Sequence, residues 1–228
     1  MLCPLAAQAA ALPDCIYDVT IEGPDAAALD VEVACQPAAG IKDFTLLDNS
    51  AMAWLKTEHR ANGIFYRLDL NGYAKAEANY NSALRVGRSV MLSPESWILK
   101  PNTTGNPSLG FHFHARDGAD IATAMTQEDG LYRLSSNEID DDVPITLGKF
   151  SRRNVEVPKG HIDLVVLDRP MAANLDALSN WVGDTAEAAA GYWGRFPAQR
   201  AMLMVIPIDG NSIRYGRVES DHAVGVMA

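Results

Sequence analysis

Apolar and polar residues alternate strictly at the start of the chain. "CIYDVTIE" has its apolar set at Cys15, Tyr17, Val19 and Ile21, and "LDVEVAC" at Leu29, Val31, Val33 and Cys35. A period of two predicts half-buried strands, and Gly23-Pro24-Asp25 between them is turn chemistry. Folding the hairpin about Asp25 pairs Ile21 with Leu29, Val19 with Val31, Tyr17 with Val33 and Cys15 with Cys35. The two cysteines then face each other on the apolar side, and a Cys15–Cys35 disulfide is expected if the compartment is oxidising.

Up to about residue 155 the pattern stays β. "KDFTLLD", "IFYRLDL", "SALRVGRSVML", "SWILKP", "SLGFHFHAR", "LYRLS" and "ITLGKFSRRNVEV" are short and rich in β-branched and aromatic residues, with Asn-Gly, Ser-Pro, Asn-Pro and Asp-Gly between them. This spacing predicts an antiparallel β-sandwich. "SSNEIDDDVP" reads as a solvated acidic loop. The pattern then changes. "HIDLVVLD" (161–168) has a continuous apolar centre. Leu175, Leu178, Trp181, Val182, Ala186, Ala189, Tyr192 and Trp193 recur at helical steps on one face, with Asn174 as a candidate cap and Gly194 and Pro197 as stops. "AMLMVIPI" (201–208) is apolar at almost every position, as a strand buried on both faces is. The expectation is a β-rich α+β fold: a sandwich over 13–155, then strand, helix and strand opening an α/β domain over 156–228.

The 228 residues suit one large domain or two modest ones, and 48% apolar with 21% charged residues is ordinary for a globular protein. The formal net charge of −10 argues against nucleic acid or an anionic membrane as the main partner, since both demand a basic face. No run reaches the roughly eighteen apolar residues of a transmembrane helix. Residues 1–12 are Ala-rich, and "AQA" fits a signal-peptidase site, although a basic n-region is missing. Loss of Cys3 with that segment would leave an even cysteine count. A periplasmic or secreted location is the corresponding expectation.

A complete catalytic set is not found. The histidines never stand at i, i+4, so H-E-x-x-H is absent. His112 and His114 share one face of a strand and could hold a metal with a third ligand; Asp117 is the nearest acidic residue. "NPSLG" around Ser108 misses the nucleophile elbow, and "GKFSRRN" lacks the phosphate-loop spacing.

The order of features carries a resemblance: "SWILKP", "LGKF", a strand ending "LDRP", a helix ending "GYWGRFP", the buried strand "AMLMVIPI" and then "YGRVES". This order resembles the gluzincin zinc metallopeptidases, especially their glycyl-aminopeptidase-like branch. The resemblance implies an N-terminal β domain followed by the strand–helix–strand opening of a thermolysin-like domain. It also implies a G-x-x-E segment along the substrate cleft at Gly216–Glu219, with Glu219 meeting the free amino group of a peptide. Ser220 and the missing glycines of "SDHAVGVMA" depart from the family pattern. The zinc helix would lie beyond Ala228, so zinc and a peptide substrate are expected of a full-length parent and no cofactor of this chain. A chain cut there would leave "AMLMVIPI" short of neighbours and apolar surface exposed. The rival expectations are a non-enzymatic exported β-sandwich binding module, and an α+β enzyme with its site near His112, His114 and Asp117.

Overall fold

The computed structural model describes residues 12–61, 63–79, 81–140, 143–171, 174–210, 213, 215–219 and 224–227. The signal-like segment up to residue 11, with Cys3, lies outside them, as do Asp141 and Asp142 of the acidic loop and Ser220. The strands and helices, in chain order, are β1 (Cys15–Glu22), β2 (Ala28–Cys35), β3 (Phe44–Leu46), β4 (Leu55–Arg60), β5 (Gly63–Asp69), α1 (Leu70–Glu77), β6 (Ala83–Val86) and β7 (Ser89–Leu92). Then come β8 (Leu99–Pro101), β9 (Ser108–Ala115), β10 (Asp120–Thr123), β11 (Thr126–Glu128), β12 (Leu131–Ser135) and β13 (Ile145–Gly148). The last region holds β14 (Phe150–Val157), β15 (Gly160–Leu167), α2 (Leu175–Trp193), β16 (Arg200–Val205), β17 (Gly216–Glu219) and β18 (Val224–Met227).

The fold is β-rich α+β. A seven-stranded sheet has the order β11-β12-β9-β1-β2-β5-β4, and a four-stranded sheet the order β10-β13-β7-β6. The β1–β2 register is the one the alternation requires, from Cys15↔Cys35 to Ile21↔Leu29. The Cys15 and Cys35 Sγ atoms are bonded. Tyr17, Val19, Ile21, Val31 and Tyr66 from the larger sheet share one core with Val90, Leu92, Ile145 and Leu147 from the smaller. Buried tyrosines are satisfied: Tyr17 Oη donates to the Leu99 carbonyl at 2.6 Å and Tyr66 Oη to that of Trp97 at 2.9 Å.

Four readings change. The larger sheet is not wholly antiparallel, because β1 pairs in parallel with β9, Asp18 opposite His112. "SALRVGRSVML" is two strands, β6 and β7, turning at Gly87-Arg88. Gly87 has φ +56°, and a Cβ there would stand 2.0 Å from the Asp168 carbonyl oxygen. A helix that was not expected follows β5: Asp69 caps α1 by accepting from Gly72 N at 3.1 Å. "ITLGKFSRRNVEV" divides at Lys149, its first half in the four-stranded sheet and its second starting a new one.

That new sheet has the order β14-β15-β16-β18-β17. β15, β16 and β18 are parallel and α2 is the crossover. Alternate residues of β15 and β16 enter two different cores. Val165, Leu167, Met202, Met204 and the following Ile206 join the core of the first two sheets. Ile162, Leu164, Val166 and Val205 pack instead with Val155, Val182 and Ala186 under α2. "AMLMVIPI" is therefore not left bare: β18 supplies its outer neighbour. Helix α2 starts at its Asn174 cap, whose Oδ1 accepts from Ala177 N at 2.7 Å, and stops at Gly194 in the left-handed region. Its predicted apolar face is only partly used, since Trp181, Tyr192 and Trp193 are exposed.

At one end of this sheet Asp168 is tied to the β6–β7 hairpin. Arg88 N and Nε donate to Asp168 Oδ2 at 3.0 and 2.9 Å, and Asp168 N donates to Ser89 Oγ at 2.8 Å. The Arg88 side-chain hydrogen bond, then its backbone N–H, holds the Asp168 carboxyl below the usual carboxylate range.

Two predictions follow from this packing. Leu164→Ala and Met204→Ala, both fully buried but in different cores, each should lower stability by about 2–5 kcal/mol in urea unfolding. Helix circular dichroism and core fluorescence should move together for both variants; separate transitions would contradict a shared core. A carboxyl whose folded pKa is depressed contributes stability above its unfolded pKa of about 3.9, lost as pH falls through the folded value. Asp168→Asn should therefore melt below the wild type at neutral pH, with the gap closing in acid.

Candidate functional site

The core-facing side of the five-stranded sheet changes character along its length. Toward the carboxyl ends of β15 and β16 it is apolar. Toward their amino ends it carries His161, Asp163 and Arg200, with Arg152 from the neighbouring β14. Thr126, Gln127 and Tyr132 of β11 and β12 stand opposite. The space between is a cavity of about 720 Å³.

Asp163 is buried, so its charge needs partners. Arg200 Nε donates to Asp163 Oδ2 at 3.0 Å, and Arg200 Nη2 stands 2.9 Å from the same oxygen. Two further contacts run from Arg200: Nη1 donates to the Met125 carbonyl at 3.2 Å and Nη2 to that of Thr123 at 2.8 Å. Those carbonyls lie where the chain passes from the four-stranded to the seven-stranded sheet. Arg200 thus clasps three sheets. Arg152 Nη2 approaches Asp163 Oδ2 at 3.4 Å, with its side chain 42% exposed. A second, more apolar cleft of about 670 Å³ lies at the other end of the sheet, lined by Leu84, Val86, Pro170, Ile206, Pro207 and Ile208.

Gly216 and Glu219 lie on β17, the outer strand of the sheet, with Gly216 opposite Met227 and Glu219 opposite Val224. One register row therefore runs Asn154, Asp163, Met202, Val224, Glu219. The edge position of Glu219 and the amino-end cavity share that row. The Glu219 side chain is outside the described residues.

His112 and His114 are brought to the outer face of β9, both exposed, ring centroids 6.5 Å apart. His114 Nε2 is 3.5 Å from Asp18 Oδ1, and Asp117 sits in a turn with φ +53°. Among the described residues no group of three or more His, Cys, Asp or Glu could hold a metal ion. None of their helices is long and apolar enough to cross a membrane. The Asp163–Arg200 cluster was missed from sequence. Its signal was a lone Asp inside the apolar run "HIDLVVLD", which demands a buried cation.

This arrangement is a two-sheet β region joined to a mixed five-stranded sheet whose three central strands are parallel. In fold, the chain is similar to an aminopeptidase N family protein from Idiomarina loihiensis, with a TM-score of 0.66 at 14% identity, over 93% of this chain and 42% of that one. An M1 zinc metallopeptidase variant from Deinococcus radiodurans, bound to a Tyr-Ser-Ala substrate, matches at TM-score 0.46 and 10% identity over 94% of this chain and 59% of that one. The chain thus spans about two-fifths to three-fifths of the length of these structures. No protein-family model and no curated protein matches the sequence.

Arg200→Ala leaves Asp163 buried against Arg152 alone. It should cost about 2–4 kcal/mol in chemical denaturation, discounted for the partial exposure of Arg200. Adding Asp163→Asn should restore part of the loss; a double variant weaker than Arg200→Ala would contradict the clasp.

Proposed function

We propose that this chain is the N-terminal part of an exported zinc metallopeptidase-like protein of the gluzincin type, its β-sandwich followed by the opening of the catalytic domain. In this reading β17 takes hold of an extended peptide. The observation that carries it is the edge position of the G-x-x-E segment. An outer strand has a row of main-chain donors and acceptors turned away from its sheet, and a peptide added there gains main-chain hydrogen bonds. Glu219 at the end of that strand would pair with the ammonium of a free peptide N-terminus. The fold likeness to an aminopeptidase N family protein supports the reading, and the Cys15–Cys35 bond agrees with an oxidising, periplasmic or extracellular location.

In such a peptidase, zinc supplies Lewis-acid polarisation of the scissile carbonyl. The described residues do not fit a zinc site. The work assigned to this chain is therefore binding and orientation: β17 fixes the direction of the peptide, Glu219 fixes its amino end, and the Arg200 clasp holds the β region against the sheet that carries them.

The test is a titration of isotope-labelled chain with a tripeptide bearing a free amine, read by amide chemical shifts. Shifts should gather on 216–219 and 224–227. Glu219→Gln should weaken the free-amine peptide about tenfold while leaving its N-acetylated form unchanged. Silent β17 amides would overturn the reading. A coding sequence that ends at Ala228, or continues without H-E-x-x-H, would replace it with a non-enzymatic binding module.

A further inference from the structure

The amino-end cavity holds more positive charge than its own architecture uses. Asp163 contributes one negative charge and Arg152 and Arg200 two positive ones, a local excess in a chain whose net charge is −10. Arg200 is largely engaged: its hydrogen bonds go to Asp163 and to the carbonyls of Thr123 and Met125. Arg152 is not. Beyond its 3.4 Å ion pair with Asp163 it makes no hydrogen bond among the described residues. Its side chain lines the cavity, as do His161, Gln127 and Tyr132. On the other face of the same strand, Arg153 is engaged differently, donating through Nη2 to Asp176 Oδ1 of α2 at 2.8 Å.

A guanidinium with free donors, backed by a neutralised Asp–Arg pair and faced by amide and hydroxyl groups, is suited to a planar anion. Arginine presents its N–H groups as a fork that matches the two oxygens of a carboxylate. The net charge of −10 disfavours anions over the chain as a whole, so a local positive excess stands out as a place for one.

We propose that this cavity is a carboxylate-binding site, with Arg152 the residue that grips the ligand and the Asp163–Arg200 pair its fixed floor. It rests on the peptide-binding reading above only for the choice of ligand, the carboxylate of a peptide. That carboxylate could come from a chain terminus or from an acidic side chain, and either presents the same two oxygens.

Calorimetric titration of the full chain in chloride-poor buffer separates the sources. N-acetylglycine offers only a terminal carboxylate, and N-acetyl-aspartic acid N-methylamide only a side-chain one. At least one should bind in the millimolar range. Arg152→Ala should weaken it about tenfold, Arg152→Lys less, and Arg153→Ala not at all. Binding of neither probe, binding indifferent to Arg152→Ala, or equal loss in Arg153→Ala would each overturn the proposal. Peptide-induced shifts on β17 with no carboxylate binding would leave the edge-strand reading standing and sink this one. Carboxylate binding beside a silent β17 would do the reverse.

Discussion

The double burial of β15 and β16 is the constraint on which the rest of the structure depends. Neither strand has a solvent face over most of its length, so each must be covered twice. Helix α2 covers one side through Val182 and Ala186, and the two sheets of the first region cover the other. Parallel pairing forces a crossover between the strands, and α2 is that crossover. Two polar ties pin the layers, Arg88 to Asp168 at one end and Arg200 to the Thr123 and Met125 carbonyls at the other. Between them lies apolar contact, which has no direction of its own. The ties fix how the layers are set against one another.

The same geometry separates structural from binding surface. Where the sheet face is apolar it is filled by the first region. Where it turns polar, at the amino ends of β15 and β16, the filling stops and a cavity opens. The outer strand β17 crosses the same register row. A main-chain edge and a charged recess thus lie on one sheet. Each is supplied by residues that the core does not consume.

Much of this could be read from the sequence, and for physical reasons. The β1–β2 register follows from a period of two with one turn between the runs. The limits of α2 follow from an Asn cap and a terminal glycine. Two-faced burial of residues 201–206 follows from an apolar run with no polar phase. Other elements gave no such signal. The parallel pairing of β1 with β9 joins residues 94 apart in the chain, from Cys15 to Leu109, and nothing local encodes it. Strands β4 and β11 are exposed and polar, so no apolar face betrays them. Gly87-Arg88 is an ordinary two-residue hairpin turn with glycine first, but it lies inside what reads as one continuous run. Trp181 and Tyr192 keep the helical spacing of a buried face, yet α2 rolls them outward. The Asp163 cluster needed only one unused inference, that a carboxylate in a buried strand has a cation somewhere.

The shared core has a consequence for how the protein is made. By the time β13 leaves the ribosome, the first two sheets have all their strands. The apolar side they turn toward Met202, Met204 and Ile206 must wait for more than fifty further residues. At roughly 5–20 residues per second that interval lasts several seconds. Wherever the chain folds, that apolar side has no cover of its own until residues 202–206 are present.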